Sequence, residues 1–174
     1  MLRKITLSVF VCLSSAALSL AQEPEKPGPE HEKLQQFVGT WDAVMDMGGQ
    51  KSKATATYKS ICGGMWVASD FEGDLGGIKF QGHGVDGYDL KAKKYVGIWV
   101  DSMSSTPLHM EGNIDPKTKK MVMTGESRGP DGQPQKFKAT TEFKDKDHFH
   151  FTMAMSGPDG QDITAFTIDY TRRK

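Results

Sequence analysis

Little in this 174-residue chain points to a stapled, nucleic-acid-binding or membrane-spanning protein. Two cysteines are too few for the disulfide framework of a small secreted domain. Neither sign of charge is in excess, since 22 Lys and Arg stand against 22 Asp and Glu, interspersed along the chain. A nucleic-acid binder needs clustered cations that displace counterions from phosphates, and it often stacks bases on aromatics set along basic strands; both features are missing. No glycine-rich loop follows a strand and opens a helix, so nucleotide binding has no basis.

The apolar run that does exist lies at the start. Arg3 and Lys4 precede an uncharged apolar and small-residue stretch from Ile5 to Leu20, and Ser19-Leu20-Ala21 places small residues at −3 and −1 before Gln22. This is the pattern of a cleaved signal peptide over 1–21. As a retained anchor it is short and interrupted by Ser14 and Ser15. Cys12 lacks the small preceding residue of a lipidation site and leaves with the peptide, as do two positive charges, so the mature chain is slightly acidic. It is expected to be secreted or periplasmic, without a membrane span. Its lone Cys62 either is buried and inert or pairs with another chain, and free cysteines are usually buried.

Residues 22–29 are rich in Pro, Glu and Lys and read as a disordered leader. Leu34, Phe37 and Val38 then fall at i, i+3 and i+4, predicting one short helix over 30–38. Beyond Gly39 the period changes to 2. In His148–Met155, the residues Phe149, Phe151, Met153 and Met155 share one face; Phe137, Ala139, Thr141 and Phe143 do so in Lys136–Phe143; Thr164, Phe166, Ile168 and Tyr170 do so near the end. Similar runs at Thr40–Met47, Lys51–Ser60, Met65–Phe71, Ile78–Val85, Tyr95–Asp101, Leu108–Ile114 and Lys120–Gly125 complete ten strands. Short turn signals separate them, including Gly-Pro-Asp-Gly at Gly129–Gly132 and again at Gly157–Gly160. Ten consecutive antiparallel strands with one apolar face remove their edges most simply by closing. The expected fold is therefore all-β, a single up-and-down barrel over 30–174 with one N-terminal helix. Lys136, Lys138 and Glu142 on the outer face exclude a lipid-embedded barrel, where each Lys near the midplane would cost about 2–4 kcal/mol.

Some residues carry a resemblance. The helix running into Gly39-Thr40-Trp41 resembles the opening of lipocalins and fatty-acid-binding proteins. Gly87-Tyr88-Asp89, Lys94-Tyr95-Val96, Trp99-Val100-Asp101-Ser102-Met103, Gly112, the turn at Asp159 and Tyr170-Thr171-Arg172 together resemble a bacterial family known as domain of unknown function 1579, over about residues 30–173. The resemblance implies a lipocalin-like (calycin) barrel in an often secreted bacterial protein, and no established activity.

A calyx of this size suits a small apolar molecule held by aromatics and Met, with a few polar groups to orient it. The candidate lining is Trp41, Met45, Met65, Tyr95, Trp99, Met110, Phe149, Phe151 and Met153, with Asp101 or Glu111 as the polar handle. The alternative is that these side chains fill the interior. An enzyme would draw on Asp101, Ser102 and Glu111 at the mouth, with Ser105 and His109 near in sequence, but no nucleophile elbow accompanies them. A copper or zinc site would draw on His148 and His150, next to Asp145 and Asp147, yet two histidines on the outer face leave a tetrahedral site incomplete. The same-face pairs Met45/Met47, Met121/Met123 and Met153/Met155 read as core filler ahead of Cu(I) ligands. A related class of small barrels holds haem through a histidine near the C-terminal end; here the last histidine is His150 and the final strand has none. No cofactor is expected.

Overall fold

The computed structural model describes residues 24–129, 132–157 and 159–174; the expected signal peptide lies outside them. Ten strands follow one short helix. They are β1 (Gly39–Met47), β2 (Gln50–Ile61), β3 (Trp66–Leu75), β4 (Ile78–Asp89), β5 (Lys94–Asp101), β6 (Ser104–Ile114), β7 (Met121–Arg128), β8 (Pro134–Phe143), β9 (His148–Ser156) and β10 (Asp162–Arg172). Each pairs antiparallel with the next, and β10 pairs with β1, closing the barrel. Closure satisfies every edge, which a soluble meander otherwise leaves exposed.

The period-2 patterns decide what points inward. In β1, Trp41, Ala43 and Met45 are buried while Asp42 and Val44 face solvent. Thr141 joins Phe137 and Ala139 on the inner face of β8, as the alternation predicts. One expectation fails in β10. Thr164 pairs with Ala154 but Phe166 pairs with Met153, so Ala165 is an extra residue in the ladder. This bulge reverses the alternation and takes Thr164 off the face shared by Phe166, Ile168 and Tyr170. Both Gly-Pro-Asp-Gly segments close with the same bond, the last glycine's N–H donating to the first glycine's carbonyl at 2.9 Å.

The helix α1 (Pro29–Gln35) closes one end. Pro29 sits in the first turn, where its missing N–H costs nothing, and the Gly28 N–H donates to His31 Nδ1 at 3.0 Å. Leu34 and Phe37 face the interior. Gln35 Nε2 donates to the Gly64 carbonyl at 3.2 Å, and the Tyr95 hydroxyl donates to the Glu30 carbonyl at 3.2 Å. Residues 24–28 carry no regular structure. Cys62 is exposed, in a 3-10 turn with φ of 50°, which corrects the expectation of burial: the turn that carries the chain from β2 to β3 lies outside the barrel wall.

Trp41 and Arg172 hold the closed end together. The fully buried indole donates to the Phe37 carbonyl at 2.7 Å and packs edge-on against Phe149. The Arg172 guanidinium lies 4.0 Å from the indole centroid and donates to the carbonyls of Val38, Gln36 and Lys146, so one cation ties the helix exit to the β8–β9 turn. Gly39 has φ of 137°, and a Cβ there would fall on this guanidinium, which explains why glycine precedes the tryptophan by two. Arg172→Ala leaves three carbonyls without their donor. It should cost about 2 kcal/mol or more, read as an earlier urea midpoint with an unchanged slope.

Candidate functional site

The helix closes one end of the barrel and nothing described covers the other. Turns β1–β2, β3–β4, β5–β6, β7–β8 and β9–β10 ring this second end. From it a cavity of about 450 Å³ runs inward to a floor made by Leu34, Phe37, Phe149 and Tyr170. Tyr170 stacks on Phe149 with centroids 4.1 Å apart, and Phe37 meets both Phe149 and Tyr58 edge-on or tilted. The floor is therefore a rigid aromatic layer. The walls are softer: Met45, Met110, Met121, Met123 and Met153 all contribute, and unbranched thioethers adapt to more than one shape.

Of the residues expected to contact a ligand, Met45, Trp99, Asp101, Met110, Phe149, Phe151 and Met153 line this cavity. The others do not. Trp41 and Tyr95 are buried beneath the floor. Met65 follows the 3-10 turn and precedes β3, outside the wall. Glu111 follows inward Met110 and so points outward by the pleat, where it pairs with Lys94 at 2.5 Å.

The expected catalytic grouping also comes apart. Asp101 accepts from Trp99 Nε1 at 2.9 Å and from the Met103 N–H at 2.8 Å, a turn-building role. Ser102 Oγ accepts from the Gln81 N–H, and His109 faces solvent. The histidines of the candidate metal site take separate partners. His148 Nδ1 contacts Asp145 at 2.9 Å, while His150 Nδ1 contacts Asp169 across the β9–β10 ladder at 2.6 Å. Among the described residues no group of three or more His, Cys, Asp or Glu could share a metal ion.

A carboxyl that the sequence reading did not single out, that of Asp86, also faces the interior. It occupies an inward position of β4, in phase with Phe80, Gly82, Gly84 and Tyr88, between Val67 of β3 and Gly97 of β5. Gly97 has no side chain, and the Asp86 carboxyl fills the space its Cβ would take. Protein shields this carboxyl from bulk water while part of its surface opens on the cavity. Burial pushes it up to about 7 from the usual 3.8. Burial likewise raises the phenols of Tyr58 and Tyr170, which line the same cavity. Asp86 adds to the rise at Tyr58, and Tyr170 acts as donor towards Tyr58. Trp99 lies over Gly82 and Gly84, which give the indole room against the wall.

A signal for Asp86 exists in the sequence. Ending β4 at Val85 treats Asp86-Gly87 as turn, whereas carrying the alternation from Phe80 through Gly82 and Gly84 puts Asp86 on the inner face. The quoted motif residues are structural around it: Trp66 covers Gly87 from outside, Tyr88 meets His31 edge-on, and Asp89 accepts from the N–H groups of Lys91 and Ala92 at 2.8 Å.

A family model described as "Protein of unknown function (DUF1579)" matches residues 26–172. No curated protein matches the chain. Among solved structures, it is similar to the S-type phycobiliprotein lyase CPES from Guillardia theta, with 11% identity and a TM-score of 0.57 over 83% of this chain and 93% of that one. It is also similar to Rv2717c from M. tuberculosis, with 7% identity and a TM-score of 0.59 over 84% of this chain and 99% of that one. At such identities the likeness is one of fold.

Proposed function

We propose, for a chain that belongs to the DUF1579 family of proteins of unknown function, that it is an exported, non-enzymatic carrier of a small apolar molecule held inside the barrel. One observation carries this reading: the apolar cavity of about 450 Å³, closed by the helix and reached from the opposite end. Ligand sites commonly measure roughly 300–1,000 Å³ and combine apolar walls with a few polar groups; Met and aromatic side chains supply the first and Asp86, Tyr58 and Tyr170 the second. The structurally similar S-type phycobiliprotein lyase shows that this fold is put to use on another protein, and a barrel that holds a small molecule is compatible with that likeness of fold. Filling the interior with side chains would have left no such space.

The test is titration with the neutral lipophilic dye N-phenyl-1-naphthylamine. The wild-type protein should enhance its emission with saturation at one dye per chain. Ala139 lies on the inner wall between Met123 and Met153, so Ala139→Phe should occupy the same space and weaken dye binding by on the order of tenfold or more. An intact far-UV spectrum would show that the barrel still forms. No saturable binding to wild type, or equal binding to the variant, refutes the carrier reading.

Export rests on the charged start, the apolar stretch and the small residues at Ser19 and Ala21. The N-terminal sequence of the protein recovered from its producing cell should begin at Gln22; a chain starting at Met1 would refute it.

A further inference from the structure

The inner cavity contains a carboxyl group with no partner. The Asp86 carboxyl makes no hydrogen bond or ion pair with any described residue, although it is shielded from bulk water and lines the cavity. Buried polar groups are as a rule satisfied, and a buried carboxyl left alone carries the cost of its desolvation. Its neighbours could not have served as counter-ions. Val67 and Gly97 flank it, Met123 lies beside the Gly97 niche, and the Tyr58 phenol is close enough to feel its charge. Arg128, the cation among the described lining residues, donates to the Gly132 carbonyl in the β7–β8 turn at the mouth. The deep cavity thus presents an acid, phenol oxygens and aromatic faces, all of which attract positive charge.

On the carrier reading above, we infer that the ligand is an amphipathic amine: an apolar body seated among the methionines, with a cationic or N–H-rich head at Asp86. The head would donate to the carboxylate, and the phenol oxygens of Tyr58 and Tyr170, which line the same cavity, are further acceptors. Such a ligand converts the desolvated acid into a charge-assisted hydrogen bond. A fatty acid or other anion would instead place like charge against Asp86 with no cation nearby.

Three probes of equal chain length separate this from the general carrier reading: decylamine, decan-1-ol and decanoate, each below micelle formation, titrated calorimetrically at pH 8. Decylamine should bind about ten- to a hundredfold tighter than the alcohol, as expected for a hydrogen bond to a charged group, and decanoate should bind weakest. In Asp86→Asn, near-isosteric and neutral, the amine-to-alcohol ratio should fall to about one. Lowering the pH to 5 should also erode the wild-type preference by protonating Asp86; the phenols lining the same cavity, Tyr58 and Tyr170, stay neutral over that range, and β3, β5 and β7 contribute Val67, Gly97 and Met123 beside it. If the alcohol and decanoate bind as well as the amine, the amine proposal is overturned and the carrier reading stands. If none of the three binds, both fail.

Discussion

Replacing Asp86 by Asn should make the ligand-free protein more stable at pH 8 and leave it unchanged at pH 3.5. In the folded chain Asp86 keeps its proton to about pH 7, while in the unfolded chain it gives it up near the ordinary 3.8. Between these values the folded state binds more protons, so rising pH favours unfolding. The contribution of this group is fully present below about pH 4, declines through the interval, and is gone above about pH 7. The full difference corresponds to up to about 4 kcal/mol. For a domain of this size that is roughly 10 °C in midpoint. Asn resembles the neutral acid in shape and does not titrate, so its stability curve should lack this decline. Thermal or urea unfolding of both proteins from pH 3.5 to 8 checks it, and curves that run parallel would sink the assignment of Asp86 as a shielded, unpartnered acid. A bound amine should reverse the trend, because it stabilises the ionised form that the empty cavity penalises.

Trp41→Ala should be the most damaging single truncation, at about 3–5 kcal/mol. Its indole is fully buried, donates to the Phe37 carbonyl, lies edge-on to Phe149 and supports the Arg172 guanidinium. Removing it opens a void below the aromatic floor and leaves a buried carbonyl short of a donor. Trp41→Phe keeps much of the contact area but not the N–H, so it should cost about 1–2 kcal/mol. Urea unfolding distinguishes the two variants. Equal losses would mean that packing contributes little, contrary to the burial of the ring. Because Trp41 lies beneath the cavity and not in it, Trp41→Phe should bind N-phenyl-1-naphthylamine close to wild type, a result that separates scaffold from lining.

Several features of the site are legible in the sequence. Phe149, Phe151 and Met153 belong to an uninterrupted alternation and do line the cavity, since local pleat geometry alone decides their face. The same rule shows why Met110 and Glu111 could not both point inward: adjacent strand residues face opposite sides. Met65 and Cys62 were harder, because the turn joining β2 to β3 interrupts the ladder and sets its residues outside the wall. Thr164 was misplaced because one additional residue, Ala165, shifts the phase without any proline or glycine to announce it. A strand read as ending at Val85 leaves Asp86 off the inner face; the continued pairing of β4 with β5 to Asp89 keeps it within a strand.

By itself, the sequence determined ten strands in order, the helix ahead of them and which side of most strands would be apolar, because these follow from residue spacing over a few positions. The tertiary structure decided that the balanced distribution of charge, which argued against nucleic acid, leaves one acid, Asp86, facing inward with no cation beside it among the described residues. It also decided that the interior is open instead of filled. Both depend on how ten strands close: the space left inside is the difference between the volume the barrel encloses and the summed volume of its inward side chains. Likewise, Asp86 lacks a counter-ion because no strand brings a cation to its depth. Neither quantity belongs to any single segment of the chain.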